Sequence, residues 1–282
     1  MKSTKLTAIL LSATMLLTLT ACNSNREETE ALPSETEVTT TEETTTVASD
    51  TSEESINPTF VIREDDLPAA YLEILSQVNY IIDLDDPDDL DPTRYGDGYT
   101  GIVEETFALG SSKAHEDICF AIKDINGDGT IELILATRIN NTDITEYTSP
   151  VYRAGYSVLA VYTLDGDEAV LVAECWSRSS VFINAEGQFI RDGSGGAAYH
   201  ETSINELEEG AVSLTEIYRI YTEPDSYSEE INVYESFYGT PGTIIDSTSV
   251  NDNIWQRFDD KIDEYTANML ELELIPVCSL IA

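Results

Sequence analysis

Phe120-Ala121-Ile122-Lys123-Asp124-Ile125-Asn126-Gly127-Asp128-Gly129-Thr130-Ile131-Glu132-Leu133-Ile134-Leu135 sets four oxygen-bearing side chains, at Asp124, Asn126, Asp128 and Glu132, between two apolar runs. The flanking residues are β-branched and aliphatic types that do not follow a helical period, so the runs read as strands and the whole as a hairpin. Gly129 supplies the φ > 0 that a tight reversal needs. Alternate positions of such a loop turn their oxygens inward, which suits a hard cation. Calcium takes six to eight oxygen ligands at about 2.3–2.6 Å. The spacing predicts a calcium site built from Asp124, Asn126, Asp128, the carbonyl of Thr130 and Glu132. The same Asn/Gly/Asp turn also joins two strands without metal, and the residues leave both readings open.

The twelfth loop position narrows the class. An EF-hand places a bidentate Glu there, whereas this chain has Leu135. A helix–loop–helix sensor is therefore not expected. The pattern DxNxDGxxEL between two strands resembles the calcium loops of FG-GAP and VCBS-type repeats. It is more similar still to a group of surface lipoproteins of Gram-positive (Firmicutes-type) gut bacteria, whose core reads FAxxDINGDGxxELIL. That resemblance implies an extracellular, calcium-stapled hairpin. The motif occurs once, which speaks against a propeller or solenoid of many such loops.

The N-terminus points to the same compartment. Met1-Lys2-Ser3-Thr4-Lys5 precedes an apolar run from Leu6 to Ala21, a basic start and short hydrophobic stretch typical of an export signal. The ending Leu19-Thr20-Ala21-Cys22 resembles a bacterial lipobox. The resemblance implies cleavage before Cys22 and diacylation of its sulfur, two acyl chains being what stable attachment needs. An ordinary secretory signal cut near Ala21, or an uncleaved anchor, are the alternatives. Residues 23–57 hold ten acids and one base, Arg26, in a Thr/Glu/Ser-rich composition. Such a segment has too little apolar surface to offset chain entropy and is expected to be a disordered tether. The expected organisation is a lipoprotein signal over 1–22, the acidic tether over 23–57 and one globular domain over 58–282. The expected location is the outer face of the bacterial cytoplasmic membrane, with the membrane as partner through Cys22.

Charge excludes other partners. The chain carries 54 acids against 14 bases, a net −40. Nucleic-acid binding is dominated by Lys/Arg contacts to phosphate, so nucleic acid is not an expected partner, nor is an anionic membrane surface. Cys119, Cys175 and Cys278 remain beside Cys22. Export permits a disulfide among them, and apolar surroundings equally suit buried thiols; spacing decides neither. The acidic run Asp83-Leu84-Asp85-Asp86-Pro87-Asp88-Asp89-Leu90-Asp91-Pro92 reads as a solvated loop or as a second cation site.

Within 58–282, Leu67, Tyr71, Ile74, Leu75, Val78 and Ile81 recur at helical spacing, with Asp65 or Asp66 placed to cap a helix ending near Ile82. Residues 101–109 suit a short helix or strand. Short β-rich runs joined by Gly-containing turns then predict strands at 156–163, 169–175, 181–184, 188–191, 199–207, 211–221 and 230–238. In the run 212–221, Val212, Leu214, Glu216, Tyr218 and Ile220 are expected on one face. Gly193-Ser194-Gly195-Gly196 reads as a bend before a strand. Ile254, Trp255, Phe258, Ile262, Tyr265 and Met269 share one face of a second amphipathic helix, and 270–280 returns as an edge segment. The expected fold is α+β: a twisted antiparallel β-meander with the calcium-loop hairpin, covered on one face by the N-terminal and C-terminal amphipathic helices.

No catalytic motif stands out. His115-Glu116 lacks the second His of HExxH. Asp192, Ser194 and His200 lie near one another in sequence, yet no GxSxG elbow accompanies them. Paired carboxylates are so many that none is distinguished. The expectation is a non-enzymatic domain that binds a protein or glycan; the alternative is an extracellular, glycosidase-like hydrolase using two carboxylates. The anchoring step is directly testable. Cys22→Ala is expected to abolish incorporation of labelled fatty acid, and persistent labelling would overturn the lipobox reading.

Overall fold

Two strands decide the layering. Ile118–Lys123 (β1) and Glu132–Arg138 (β2) are apolar on both faces, so the sheet they build needs cover on each side. The computed structural model describes residues 66–280 except 85, 87–88, 92–95, 140–149, 197, 229 and 249–253. The expected signal segment with Cys22, the expected tether 23–57 and residues 58–65 lie outside those residues.

Helices Ala69–Ile82 (α1), Thr100–Leu109 (α2) and Ser111–Asp117 (α3) precede β1. Pro150–Ala154 (α4) leads into Tyr156–Asp165 (β3) and Glu168–Glu174 (β4). Then follow Ser179–Ile183 (β5), Gln188–Gly196 (β6), Tyr199–Leu207 (β7), Leu214–Pro224 (β8), Ile231–Phe237 (β9) and Thr243–Thr248 (β10). Ile254–Tyr265 (α5), the short strand Ile275–Pro276 (β11) and a 3-10 turn over Val277–Leu280 complete the order. All pairings are antiparallel, and the fold is mixed α+β. The strands form two sheets rather than the single meander expected: β11-β1-β2-β3-β4 and β10-β9-β8-β7-β6-β5.

The division follows from which apolar faces need cover. One face of the first sheet, with Phe120, Leu133, Leu135 and Tyr162, packs on Tyr71, Leu75, Val78 and Ile81 of α1 and Ile102 of α2. Its other face, with Ala121, Ile134, Ala136, Val158 and Val161, packs on Val181, Ile183, Phe189 and Leu207 of the second sheet. The far face of that second sheet, with Phe182, Ile190, Ile204, Tyr218, Ile220 and Val233, packs on Ile254 and Phe258 of α5. A bulge where Leu135/Ala136 meet Ala160/Val158 inserts Leu159. It puts Val158 and Val161 on the same side, towards the second sheet.

Several sequence expectations shift for local reasons. Helix α1 starts at Ala69 with extended Pro68 at its cap and no side-chain capping bond, so the Asp66 cap is not used. The Pro68 carbonyl takes the N–H groups of Tyr71 and Leu72 at 3.0 and 3.2 Å, as a proline just outside a helix permits. Gly193-Ser194-Gly195-Gly196 continues β6 instead of bending away from it. The run 212–221 does not keep one face, because a bulge between Glu216 and Tyr218 switches sides. Leu214 packs between the sheets, whereas Tyr218 and Ile220 face α5. The expected return over 270–280 does occur: Phe120 pairs with Ile275 and Cys119 with Pro276.

Tyr71 fastens α1 to the sheet, its hydroxyl donating to the carbonyl of Ile131 at 2.6 Å. The second sheet approaches the 124–131 loop through Gly187, in the turn between β5 and β6. Gly187 sits at φ +80°, and a Cβ there would lie 2.5 Å from the carbonyl oxygen of Ile125. Gly187→Ala therefore combines left-handed strain with a backbone clash, each of a kind that costs about 1–3 kcal/mol. A lower denaturant midpoint at unchanged slope is the expected result; an unchanged midpoint would show that the two backbones part freely.

Candidate metal centre

The loop joining β1 to β2 is held by its own carboxylates. Asp124 Oδ1 accepts the N–H of Gly127 at 2.8 Å, and its Oδ2 accepts that of Gly129 at 3.0 Å. Asn126 Oδ1 accepts from Asp128 N at 3.1 Å. Asp128 Oδ1 accepts from Thr130 N at 2.6 Å, and its Oδ2 accepts from Gly210 N at 2.9 Å. Gly210 lies in the turn between β7 and β8, and the amide of Asn126 also donates to Glu208 O there at 3.3 Å. The loop thus grips the second sheet as well as closing its own hairpin.

Glu132 plays a different part. It is 0 % exposed; Oε2 accepts the N–H of Ile125 at 2.8 Å and Oε1 the hydroxyl of Thr163 at 3.0 Å. Burial raises its pKa; these two donors oppose the rise, and the carboxylates of Asp128 and Asp124 add to it. Asp128 moves the other way, held at about 2 by the N–H groups of Gly210 and Thr130. Backbone donors therefore outweigh desolvation at Asp128.

Of the five ligands expected from sequence, Asp124, Asn126, Asp128 and Thr130 come together in the loop, while Glu132 turns beneath it into the core. Among the described residues no group of three or more His, Cys, Asp or Glu side chains is placed to hold a metal ion. The donors that fit a hard cation are two carboxylates, one amide oxygen and one main-chain carbonyl. That set falls short of calcium's six to eight ligands unless water or Glu132 completes it.

The other flagged residues resolve separately. Of the acidic run 83–92, residues 85, 87, 88 and 92 lie outside the described residues. Asp83 accepts from His115 Nε2 at 2.9 Å while His115 Nδ1 meets the carbonyl of Ser111 at 2.7 Å. Two acceptors, the carbonyl foremost, raise the pKa of His115. Cys119, Cys175 and Cys278 are free thiols. Burial pushes Cys119 up to about 11 and Cys175 up to about 12, which makes both poor nucleophiles.

A second cluster collects at the ends of β6 and β7. His200 Nε2 meets Asp192 Oδ1 at 3.0 Å, and the hydroxyl of Thr202 donates to the same oxygen at 2.7 Å. Ser194 Oγ donates to the carbonyls of Gly196 and Tyr199, so it is not activated by His200 and no triad forms. Asp192, His200 and Asp259 line a cavity of about 500 Å³ with Arg178, Trp255 and Phe258. Burial raises the pKa of Asp259, Asp192 and other nearby carboxylates raise it further, and His200 opposes them. Asp192 and His200 were legible only as neighbours in sequence. Asp259 arrives from α5, and no sequence spacing announces it.

Compared with known proteins, the chain matches no family model, no curated protein and no solved structure. The electrostatics of the loop give a test of their own. Asp128 titrates at about 2 in place of its ordinary 3.8, so its ionised form favours the folded state. That contribution is complete above about pH 4 and disappears as pH falls through about 2. In EDTA, Asp128→Ala is expected to melt below wild type at pH 7, with the gap closing between pH 4 and 2. A gap that persists unchanged to pH 2 would show that the N–H contacts are not its source.

Proposed function

We propose that this protein is a lipid-anchored extracellular lipoprotein of the Gram-positive surface type, and that its folded part is a non-enzymatic binding domain stabilised by calcium. The observation that carries the reading is the loop 124–131. It crowds carboxylates where the hairpin of the first sheet grips the turn between β7 and β8. A cation there acts on the contact between sheets, not on one turn alone. In this reading 118–138 is a calcium-loop hairpin, and α1 and α5 are the amphipathic helices that flank the sheets.

The calcium ligands are Asp124, Asn126, Asp128 and the carbonyl of Thr130, with Glu132 as the buried partner that fixes the base of the loop. The ion supplies positive charge between carboxylates that otherwise rely on backbone N–H groups. The N-terminal signal ending in Cys22 and the acidic segment 23–57 support anchoring and display. A protein or glycan is the class of ligand such a display serves. A second reading, a hydrolase with two carboxylates, is favoured by one observation: Asp192 and Asp259 share a cavity, and Asp259 is displaced towards its neutral form. Two neighbouring acidic side chains, one of them with a raised pKa, are the kind of arrangement general acid–base chemistry draws on.

The test of the calcium reading is a thermal melt of the full chain in millimolar calcium, magnesium or EDTA. A short-loop site lacking a twelfth-position Glu belongs with extracellular modules, on the order of 10⁻⁴ M. Free calcium at about a hundred times Kd then stabilises by about 2.7 kcal/mol. Magnesium demands near-ideal octahedral geometry and is expected to do much less. Coincident curves in all three conditions would overturn the calcium reading.

A further inference from the structure

Part of the face of the second sheet turned away from α5 gathers arginines beside two glutamates, Glu201 and Glu223. Arg178, Arg191 and Arg219 line a single cavity of about 380 Å³ on that face, in a chain of net charge −40. Arg219 is already engaged. It lies 3.6 Å from Glu201 and 3.9 Å from Glu216, with its guanidinium 4.1 Å over the ring of Tyr221. Arg178 and Arg191 are exposed, and among the described residues neither guanidinium has a hydrogen bond or an ion pair. Carboxylates are abundant, and Arg153, Arg257 and Lys261 each pair with one. Two arginines without a hydrogen bond or ion pair therefore meet in one cavity, although Glu201 and Glu223 also line it and Arg178 also borders the cavity of Asp192 and Asp259.

Exposed aromatic rings border the same cavity. Trp176 and Tyr199 are 46 % and 52 % exposed, and Tyr221 stacks on Tyr234 with centroids 5.0 Å apart. Guanidinium groups recognise carboxylate or sulfate through paired N–H donors, and aromatic rings offer flat apolar surface with a polar edge. An anionic ring fits both. An extended polyanion is disfavoured, because each further charge meets the repulsive field of the whole chain. A peptide would use a strand edge or side-chain pockets, whereas Arg191, Glu201 and Arg219 come from the face of three neighbouring strands.

We infer that this face binds a short saccharide carrying a carboxylate or sulfate, its anion held by Arg178 and Arg191 and its ring laid on Trp176 and Tyr199. The inference rests on the reading of the domain as a binding module and names its ligand class. The two anions share one chemistry, and the experiment separates them.

The experiment is calorimetric titration of the full chain at low salt with three disaccharides: one containing glucuronate, one sulfated and one neutral. A peptide of four glutamates is the fourth arm. At least one acidic sugar is expected to bind about tenfold or more tightly than the neutral one, with the better of the two identifying the anion. Arg191→Ala and Arg178→Ala are each expected to weaken it about tenfold, with Arg191→Lys between, and salt to weaken it further. Both arginines are exposed, and unchanged melting curves check that the variants fold. Equal binding of the neutral sugar, tighter binding of the peptide, an unaltered double variant or no binding up to about 10 mM would each overturn the assignment. Binding that persists in EDTA supports it even where calcium leaves the melt unchanged, so the two readings fail separately. Cleavage of an acidic disaccharide during titration supports the ligand class and overturns the non-enzymatic reading.

Discussion

The carboxylate of Asp128 accepts N–H groups from two places, Thr130 within its own loop and Gly210 in a turn of the other sheet. Remove that carboxylate and the two sheets lose a polar contact at a point where Gly187 and Ile125 already meet backbone to backbone. Apolar packing between Ile134, Val161, Ile183 and Phe189 supplies most of the adhesion, since burial is the dominant favourable contribution to folding. Packing of that kind is not directional. The carboxylate–amide contacts fix where along the strands the two sheets come together.

Glu132 shows the cost of placing such a loop at the root of a hairpin. Fully buried, it depends on Ile125 N–H and Thr163 O–H to offset desolvation, because an ionised group without donors is expensive in the interior. The loop therefore mixes two kinds of acid: Asp128 at the rim, whose backbone donors favour its charged form, and Glu132 at the base, whose pKa burial raises. On the proposed reading, a cation shifts that balance without new side-chain contacts across the sheets. The arginine face lies on the same sheet as the Gly210 turn, which puts the two proposed sites on one body.

How much could be read in advance depended on the range of the interaction. The hairpin of β1 and β2 and the spacing of Ile254, Phe258 and Ile262 are local patterns, and both appear in the structure. The return at Ile275 was visible as an apolar run around a proline, which suits an edge. The split into two sheets was written in Ile118–Ile122 and Leu133–Ala136, whose apolar residues on both faces call for two partners, but alternation elsewhere suggested one. The bulge at Ile217 was not legible, because one unpaired residue reverses every later side chain without changing composition. The meeting of Asp259 with Asp192 depends on how α5 docks, a tertiary relation that no spacing encodes. Helix α3 went unread because its seven residues carry no stripe long enough to show a period.

The short strand β11 has a consequence for the order of events as the chain is made. Its partner β1 emerges early, but the outer edge of β1 finds Ile275 and Pro276 only after every strand of the second sheet has been synthesised. Until then Cys119 and Phe120 sit on an unpaired edge whose neighbours are apolar on both faces. An open strand edge of that kind templates pairing with other chains. Intermediates of a domain this long expose such edges for longer than a small two-state fold does. The proline in β11 lacks an N–H to offer a further strand, so the segment that finally covers the edge also terminates the sheet.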